Sequence, residues 1–336
     1  MVNDNLSDSW QHLYQHASHP HYLQSLTWHR PNSLLQIVTV DDCGVAVAGS
    51  LLTRTPIIGN RYAYYEAIRG PLFTNADALA QHLEQLKTGL PGDAIGVQVS
   101  PYIYRGDPQF NATITQLTQH NFQPVGEARN NLYTATPLVN LGQGLDSVRA
   151  HYRSSFKRQL KKANKDGIQI LLGKTLADLE SYIKGHTDAN LARGAPPPNQ
   201  AILHGWRQLF EQKPEQLRLS LANYRGVTIA GQVSVICGDR MIYEWGFSNS
   251  DDQFKNLAKS HLLHDAAIEH AIDHHLATYD LGGFWQQLGS NNSLNRFKLA
   301  ITEQIEETLP KYEYLIRPTF HKAYHGLRNL IKRRSA

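Results

Sequence analysis

Cysteine is scarce in this chain. Cys43 and Cys237 are the only two among 336 residues, too few for the disulfide framework of a small secreted domain. Both fall in apolar, strand-like runs, so the expectation is two buried, inert thiols in a reducing compartment. Long apolar runs are missing too. Nothing approaches the ~18 residues that read as a membrane-crossing helix, and Met1-Val2-Asn3-Asp4 does not start a basic region followed by an apolar stretch. No secretory leader is therefore expected, and the localisation reads as cytoplasmic. There is no P-loop, no GxGxxG opening a helix after a strand, and no HExxH. The usual phosphate-cradling, dinucleotide and zinc-hydrolase motifs are thereby excluded.

What is present is an ordinary globular composition, 41% hydrophobic and 18% charged. The length exceeds what one core usually fills, so two domains are expected. The net charge is only +4, but the cations are clustered. Arg153, Lys157, Arg158, Lys161, Lys162 and Lys165 crowd one segment, and Lys322, Arg328, Lys332, Arg333 and Arg334 another. Such clusters suit an anionic partner, whether nucleic acid, a phosphorylated substrate or a membrane surface. Histidines gather at His261, His264, His270, His274 and His275. No Cys or Glu stands beside them at a ligand spacing, so no metal site is predicted.

Periodicity gives the order of elements. A helix is expected within 8–30, ending in a turn at Trp28-His29-Arg30. Strands follow at 34–40, 45–53 and 62–68, then a helix over 75–90 with leucines at helical spacing, a strand at 94–99, a helix at 111–121 and a strand at 131–140. The second half reads as a helix over 146–166 closed by Gly167, a strand at 168–172, and helices at 176–193 and 199–211. An antiparallel meander over 217–247, a long helix over 257–275 and a strand at 278–281 complete it. Each half runs helix, antiparallel strands, helix, strand. The fold class is α/β (α+β), two similar halves with mixed, largely antiparallel sheets.

The segments that carry chemistry are few and far apart. Tyr279-Asp280-Leu281-Gly282-Gly283-Phe284 reads as a buried strand end opening into a glycine turn, and Phe297-Lys298 follows it. Arg69-Gly70-Pro71 closes an earlier strand, and Gln24-Ser25-Leu26-Thr27-Trp28 precedes it. Adding the basic helix ending at Gly167, Ile229-Ala230-Gly231-Gln232 and 243–248, this ordered set resembles the FemABX family of aminoacyl-tRNA-dependent peptidyltransferases, over roughly residues 10–315. The resemblance implies two tandem domains like N-acetyltransferases (GNAT-like), here 1–145 with 311–336, and 146–310. It implies no cofactor. This chain has no long charged run to build the coiled-coil arm of some members.

The implied reaction is transfer of an amino acid from aminoacyl-tRNA to the amine of an acceptor peptide, a lipid-linked or UDP-linked muropeptide. The ester is already activated, so the protein has to align reactants and stabilise the oxyanion. Lys298 is the candidate stabiliser, with Phe297 shaping the site beside it. Asp280 is either a general base or the cap of its turn. Gly282 and Gly283 read as positions of close backbone approach or positive φ. Arg69, with Gly70, either binds an acceptor phosphate or carboxylate or pairs with an acid such as Glu66. Trp28 and Arg30 are acceptor-site candidates. Strand alternation puts Tyr243 and Trp245 on one face, with Glu244 opposite. The run from Arg153 to Lys165 is the first choice for tRNA phosphates.

The sequence also departs from the family. Ala195-Pro196-Pro197-Pro198-Asn199 carries no cation where members using a soluble nucleotide-linked muropeptide have an arginine, and Trp245 stands in place of a tyrosine. A lipid-linked acceptor, with the basic C-terminal segment resting on the inner membrane surface, is one consequence. A small molecule outside the cell wall is another. An acyl-CoA-dependent N-acyltransferase on the same double fold is a third reading, although no glycine-rich pyrophosphate turn precedes Leu257. A non-enzymatic RNA-binding protein is a fourth.

Overall fold

The computed structural model describes residues 4–30, 34–127, 129–285, 287, 289 and 292–335, the side chains of 4–6 and 328–335 apart. The basic side chains Arg328, Lys332, Arg333 and Arg334, expected to meet a membrane, lie outside the described residues. The chain divides into two compact units, 1–132 with 308–336, and 133–307.

The first unit contains α1 (Asp4–His16), β1 (Leu34–Val40), β2 (Ala46–Ile57), β3 (Tyr62–Ala67), β4 (Leu72–Phe73), α2 (Ala76–Thr88), β5 (Ala94–Val99), α3 (Phe110–Gln119) and β6 (Gln123–Pro124). It closes with β14 (Tyr312–Leu315) and α10 (Pro318–Ser335). Its sheet runs β1-β2-β3-β5-β14-β6, with β4 added to β2. Helix α2 forms because Leu79, Leu83 and Leu86 fall on one face, which is buried, and the Asn75 side chain caps the first turn by accepting from Ala78 N at 2.9 Å. Helix α1 ends at His16, short of the expected span, and two short 3₁₀ turns, Tyr22–Gln24 and Leu26–Trp28, complete the segment. The Cys43 expectation is corrected. Cys43 is exposed in the turn between β1 and β2, where the Asp41 carboxylate accepts from the Cys43 and Val45 amides. Asx-turn chemistry outweighs the flanking apolar residues there. Cys237 is buried.

The second unit contains β7 (Ala135–Asn140), α4 (Leu145–His151), α5 (Ser154–Lys165), β8 (Gln169–Leu172), α6 (Leu176–Ala192), α7 (Gln200–Gln212), β9 (Leu217–Tyr224), β10 (Val227–Cys237), β11 (Arg240–Ser248), α8 (Lys259–Asp273), β12 (Thr278–Asp280), α9 (Ser293–Lys298) and β13 (Ile305–Glu307). Its sheet order is β13-β7-β12-β11-β10-β9-β8. Strand β7, placed by the sequence reading in the first domain, belongs to this sheet: Leu138–Asn140 pair with β12, and Ala135–Pro137 with β13. The β9–β10 turn is tight because Arg225 and Gly226 both take positive φ, as a two-residue hairpin demands.

Two features of this unit differ from the sequence reading. The expected single helix over 146–166 breaks at Tyr152 and Arg153, whose backbones are extended. The break lets Tyr152 and Phe156 both enter the core, ring to ring at 4.8 Å. The second is a bulge in β11. Val233 pairs with Trp245 and Ser234 with Tyr243, leaving Glu244 as the extra residue. A bulge shifts side-chain parity by one. Tyr243 and Trp245 therefore sit on opposite faces. Tyr243 meets His264 on α8 at 4.7 Å between rings, and Trp245 meets Trp206 on α7 at 5.2 Å.

Candidate active site

The second unit holds a cavity of about 350 Å³ lined by Arg193, Gln232, Tyr243, His264, Phe297 and Lys298 among others. The glycine turn after β12 lies beside it, joined to the lining residue Lys298 through the Gly283 carbonyl. Asp280 is fully buried, and its Oδ1 accepts from the Gly282 amide at 2.7 Å and from the Thr136 hydroxyl. The carboxylate fixes the turn, the capping alternative among the two open for it. Gly282 sits at φ +68°, where a Cβ would also come within 2.7 Å of the Tyr243 carbonyl oxygen. A Cβ on Gly283 would instead meet the Tyr133 ring at 2.6 Å.

These two glycines make different predictions. Gly282→Ala forces a strained backbone against another backbone, and should cost about 2–4 kcal/mol with loss of the β12 geometry. Gly283→Ala presses on a half-buried ring that can move, and should cost about half as much. Urea titrations of the two variants test the ranking; equal costs would mean that the turn itself adjusts.

Lys298 lies at the end of α9. That helix starts where the Asn292 side chain accepts from the Leu294 and Asn295 amides, and Asn295 Nδ2 donates to the carbonyls of Trp285 and Gly289 at 2.9 Å each. Trp285 and Gly289 are thus pinned to the helix that carries the cation. Lys298 is only 4% exposed, and its Nζ donates to the Gly283 carbonyl at 2.8 Å. Burial pushes its pKa down from the ordinary lysine value to about 8, with Asp280 and Glu244 opposing the shift. The ammonium lies 5.9 Å from the Tyr243 ring centroid. Burial also raises the Tyr243 hydroxyl to about 12, so it enters the cavity as a neutral donor.

The sequence reading picked out Phe297, Lys298 and Tyr243, and these three line one cavity. Asp280, Gly282 and Gly283 shape the backbone beside it. Trp245 is on the other face of the sheet. Arg193, Gln232 and His264 were missed. Arg193 caps α6, donating to the Ala189 carbonyl at 3.0 Å and to Asn190 Oδ1 at 2.9 Å, and still lines the cavity. Its position just ahead of the proline run was the available signal.

The remaining candidates lie elsewhere. In the first unit, Trp28 packs edge-on against Tyr22 at 4.7 Å, Tyr22 against His21 at 4.6 Å, and His21 against Tyr102 at 5.0 Å. The Arg69 guanidinium stands over Tyr102 at 4.5 Å. A Cβ at Gly70 would strike the Gln24 side chain at 2.5 Å, and that side chain bonds to Leu51 and Ile68. Two motifs far apart in sequence therefore build one aromatic cluster. Glu66 pairs with Lys311 at 2.5 Å. Arg30 is exposed beyond the second 3₁₀ turn. On α5, Phe156 and Ala163 face the core while Arg153, Lys157, Arg158, Lys161, Lys162 and Lys165 are exposed. Arg153 pairs with Glu303 and Lys162 with Asp166, whereas Arg158, Lys161 and Lys165 have no ion-pair partner among the described residues. No group able to hold a metal occurs among the described residues, nor does any helix long and apolar enough to cross a membrane.

This fold and cavity define a protein with tandem acyltransferase-type domains. The family model for the acetyltransferase (GNAT) domain matches residues 150–298. Over 308 residues the chain is 22% identical to the UDP-N-acetylmuramoylpentapeptide-lysine N(6)-alanyltransferase of Weissella viridescens, covering 87% of this chain and 88% of that protein. The solved structure of FemX superposes with a TM-score of 0.79 at 13% identity, covering 94% of this chain and 98% of the other. A C-terminal domain (DUF2156) of a putative lysylphosphatidylglycerol synthetase from Agrobacterium fabrum shares the fold at a TM-score of 0.59 and 11% identity, with 94% and 92% covered. Along most of its length the chain is thus similar to a Fem-type alanyltransferase, and it shares the fold of FemX.

Proposed function

We propose that this protein is an aminoacyltransferase that moves an amino acid from aminoacyl-tRNA to an amine of the pentapeptide in a peptidoglycan precursor. The observation that carries the reading is the buried Lys298 beside Phe297 in the wall of the cavity, in a chain alike along most of its length to a UDP-N-acetylmuramoylpentapeptide-lysine N(6)-alanyltransferase.

The acceptor amine, once it has lost one proton to solvent, attacks the ester carbonyl. A C–N bond forms, the C–O bond to the ribose breaks, and the remaining excess proton on nitrogen ends on the ribose hydroxyl. Charge gathers on the carbonyl oxygen between these events. The Lys298 ammonium, only 4% exposed, meets that charge in a low-dielectric setting where it counts for more than in water. The Gly283 carbonyl holds the ammonium in place beforehand. Phe297 and Tyr243 wall off water. Helix α5 presents its cations to the tRNA backbone while Phe156 on its buried side reaches the Phe297 ring at 6.0 Å.

The test is transfer of label from a mixture of radiolabelled aminoacyl-tRNAs to a UDP-linked or a lipid-linked muropeptide. Label on either acceptor supports the reading and identifies the acceptor. Label on neither sinks it, and acetyl-CoA binding in a thermal-shift assay would then favour the acyl-CoA reading.

A further inference from the structure

A chain of buried polar side chains enters the same cavity from below. Ser234, Gln232, Tyr279 and His264 are all at most 4% exposed. Gln232 Nε2 donates to Ser234 Oγ at 2.9 Å and to Tyr279 Oη at 2.8 Å, so both amide N–H groups are used. The phenol oxygen accepts from Gln232, and its own proton needs an acceptor. His264 Nδ1, at 2.8 Å, is that acceptor.

A nitrogen that accepts carries no proton, and a neutral imidazole holds its one proton on the other nitrogen. His264 Nε2 has no hydrogen-bond partner among the described residues, and the ring lines the cavity. The ring stands 4.7 Å from Tyr243 and 5.3 Å from Phe297. Four interlocked polar groups in a core are costly where apolar residues would pack as well. Fixing one tautomer of one histidine gives them a purpose.

We propose that His264 is a second catalytic hydrogen-bond donor, whose Nε2–H binds the carbonyl oxygen under attack beside Lys298, and that Tyr279 and Gln232 are positioning residues that set its tautomer. This rests on the transfer reading above. The imidazole remains neutral at working pH, since burial and the Lys298 charge push its pKa to about 3. It donates without giving up its proton, and no atom changes hands at this residue.

The experiment pairs kinetics with ¹⁵N spectroscopy of the full chain labelled at histidine. The His264 signals should show one neutral Nε2–H tautomer from pH 5 to 9. Tyr279→Phe should mix the tautomers and lower kcat about tenfold. His264→Ala should lower kcat by about 10²-fold with KM within about threefold, and His264→Gln, which keeps a donor, should recover most of the loss. Thermal melts establish that each variant is folded. An Nδ1–H tautomer, or a folded His264→Ala with kcat within about threefold of the parent, overturns the assignment. The tautomer is read without substrate. An Nε2–H signal in a protein that transfers no label therefore sinks the transfer reading and not the assignment of the proton.

Discussion

Lys298→Ala lowers kcat/KM for transfer by about 10²–10³-fold, the loss expected for one charge-stabilising donor, while tRNA affinity changes little. The variant removes a group from the cavity and none from the exposed face of α5. The pH profile makes the claim sharper. With a pKa near 8, Lys298 is charged at neutral pH and loses its proton above about 8. Activity that depends on the cation therefore falls through this range, even though the acceptor amine becomes a better nucleophile. Lys298→Arg keeps its charge and should lose the alkaline limb whatever its absolute rate. An alkaline limb unchanged in Lys298→Arg would assign it to another group. Stability has its own signature. The folded pKa lies below the unfolded value, so between about 8 and 10.5 the unfolded chain holds the extra proton and stability rises with pH. Relative to Lys298→Met, the parent should gain about 3 kcal/mol across that window, measured by denaturation at matched pH values.

The second large effect concerns the basic helix. The triple variant Arg158→Glu, Lys161→Glu, Lys165→Glu should weaken tRNA binding by about 10²-fold at low salt and reduce the slope of log K against log salt by about 2–3. These three cations are exposed and have no ion-pair partner among the described residues, so the fold should tolerate the change. Rates at saturating tRNA should stay near those of the parent, because Lys298 is untouched. Filter binding over a salt series reads both quantities. A slope equal to that of the parent would remove α5 from the tRNA surface.

Much of the site was legible because its chemistry is local in sequence. A strand running into two glycines forecasts a turn, and that turn does hold the cation of Phe297-Lys298. Basic residues around a helix with Phe156 and Ala163 inward forecast an exposed cationic face. What was hidden depends on pairing across strands or helices. Nothing within 240–248 reveals that Glu244 is squeezed out as a bulge, because that follows from how β11 meets β10. Strict alternation therefore put Trp245 on the wrong face. His264 was read with its helical neighbours as a question about metals, since its partner Tyr279 lies in another element. The first half showed the same limit. Trp28 and Arg69 were separate signals, and only the stack through Tyr22, His21 and Tyr102 joins them.

The place of β14 has a consequence for how the protein is made. It lies between β5 and β6, so the first sheet stays split until residues 312–315 leave the ribosome. Residues 133–307 emerge before then and contain every strand of the second sheet. At ordinary synthesis rates the nascent chain spends on the order of 10 s with the edge of β5 unpaired. An unpaired edge invites wrong partners. The unit that begins first is thus the last to close, and a ribosome stalled before Tyr312 would leave the amino-terminal half, not the carboxyl-terminal one, unfinished.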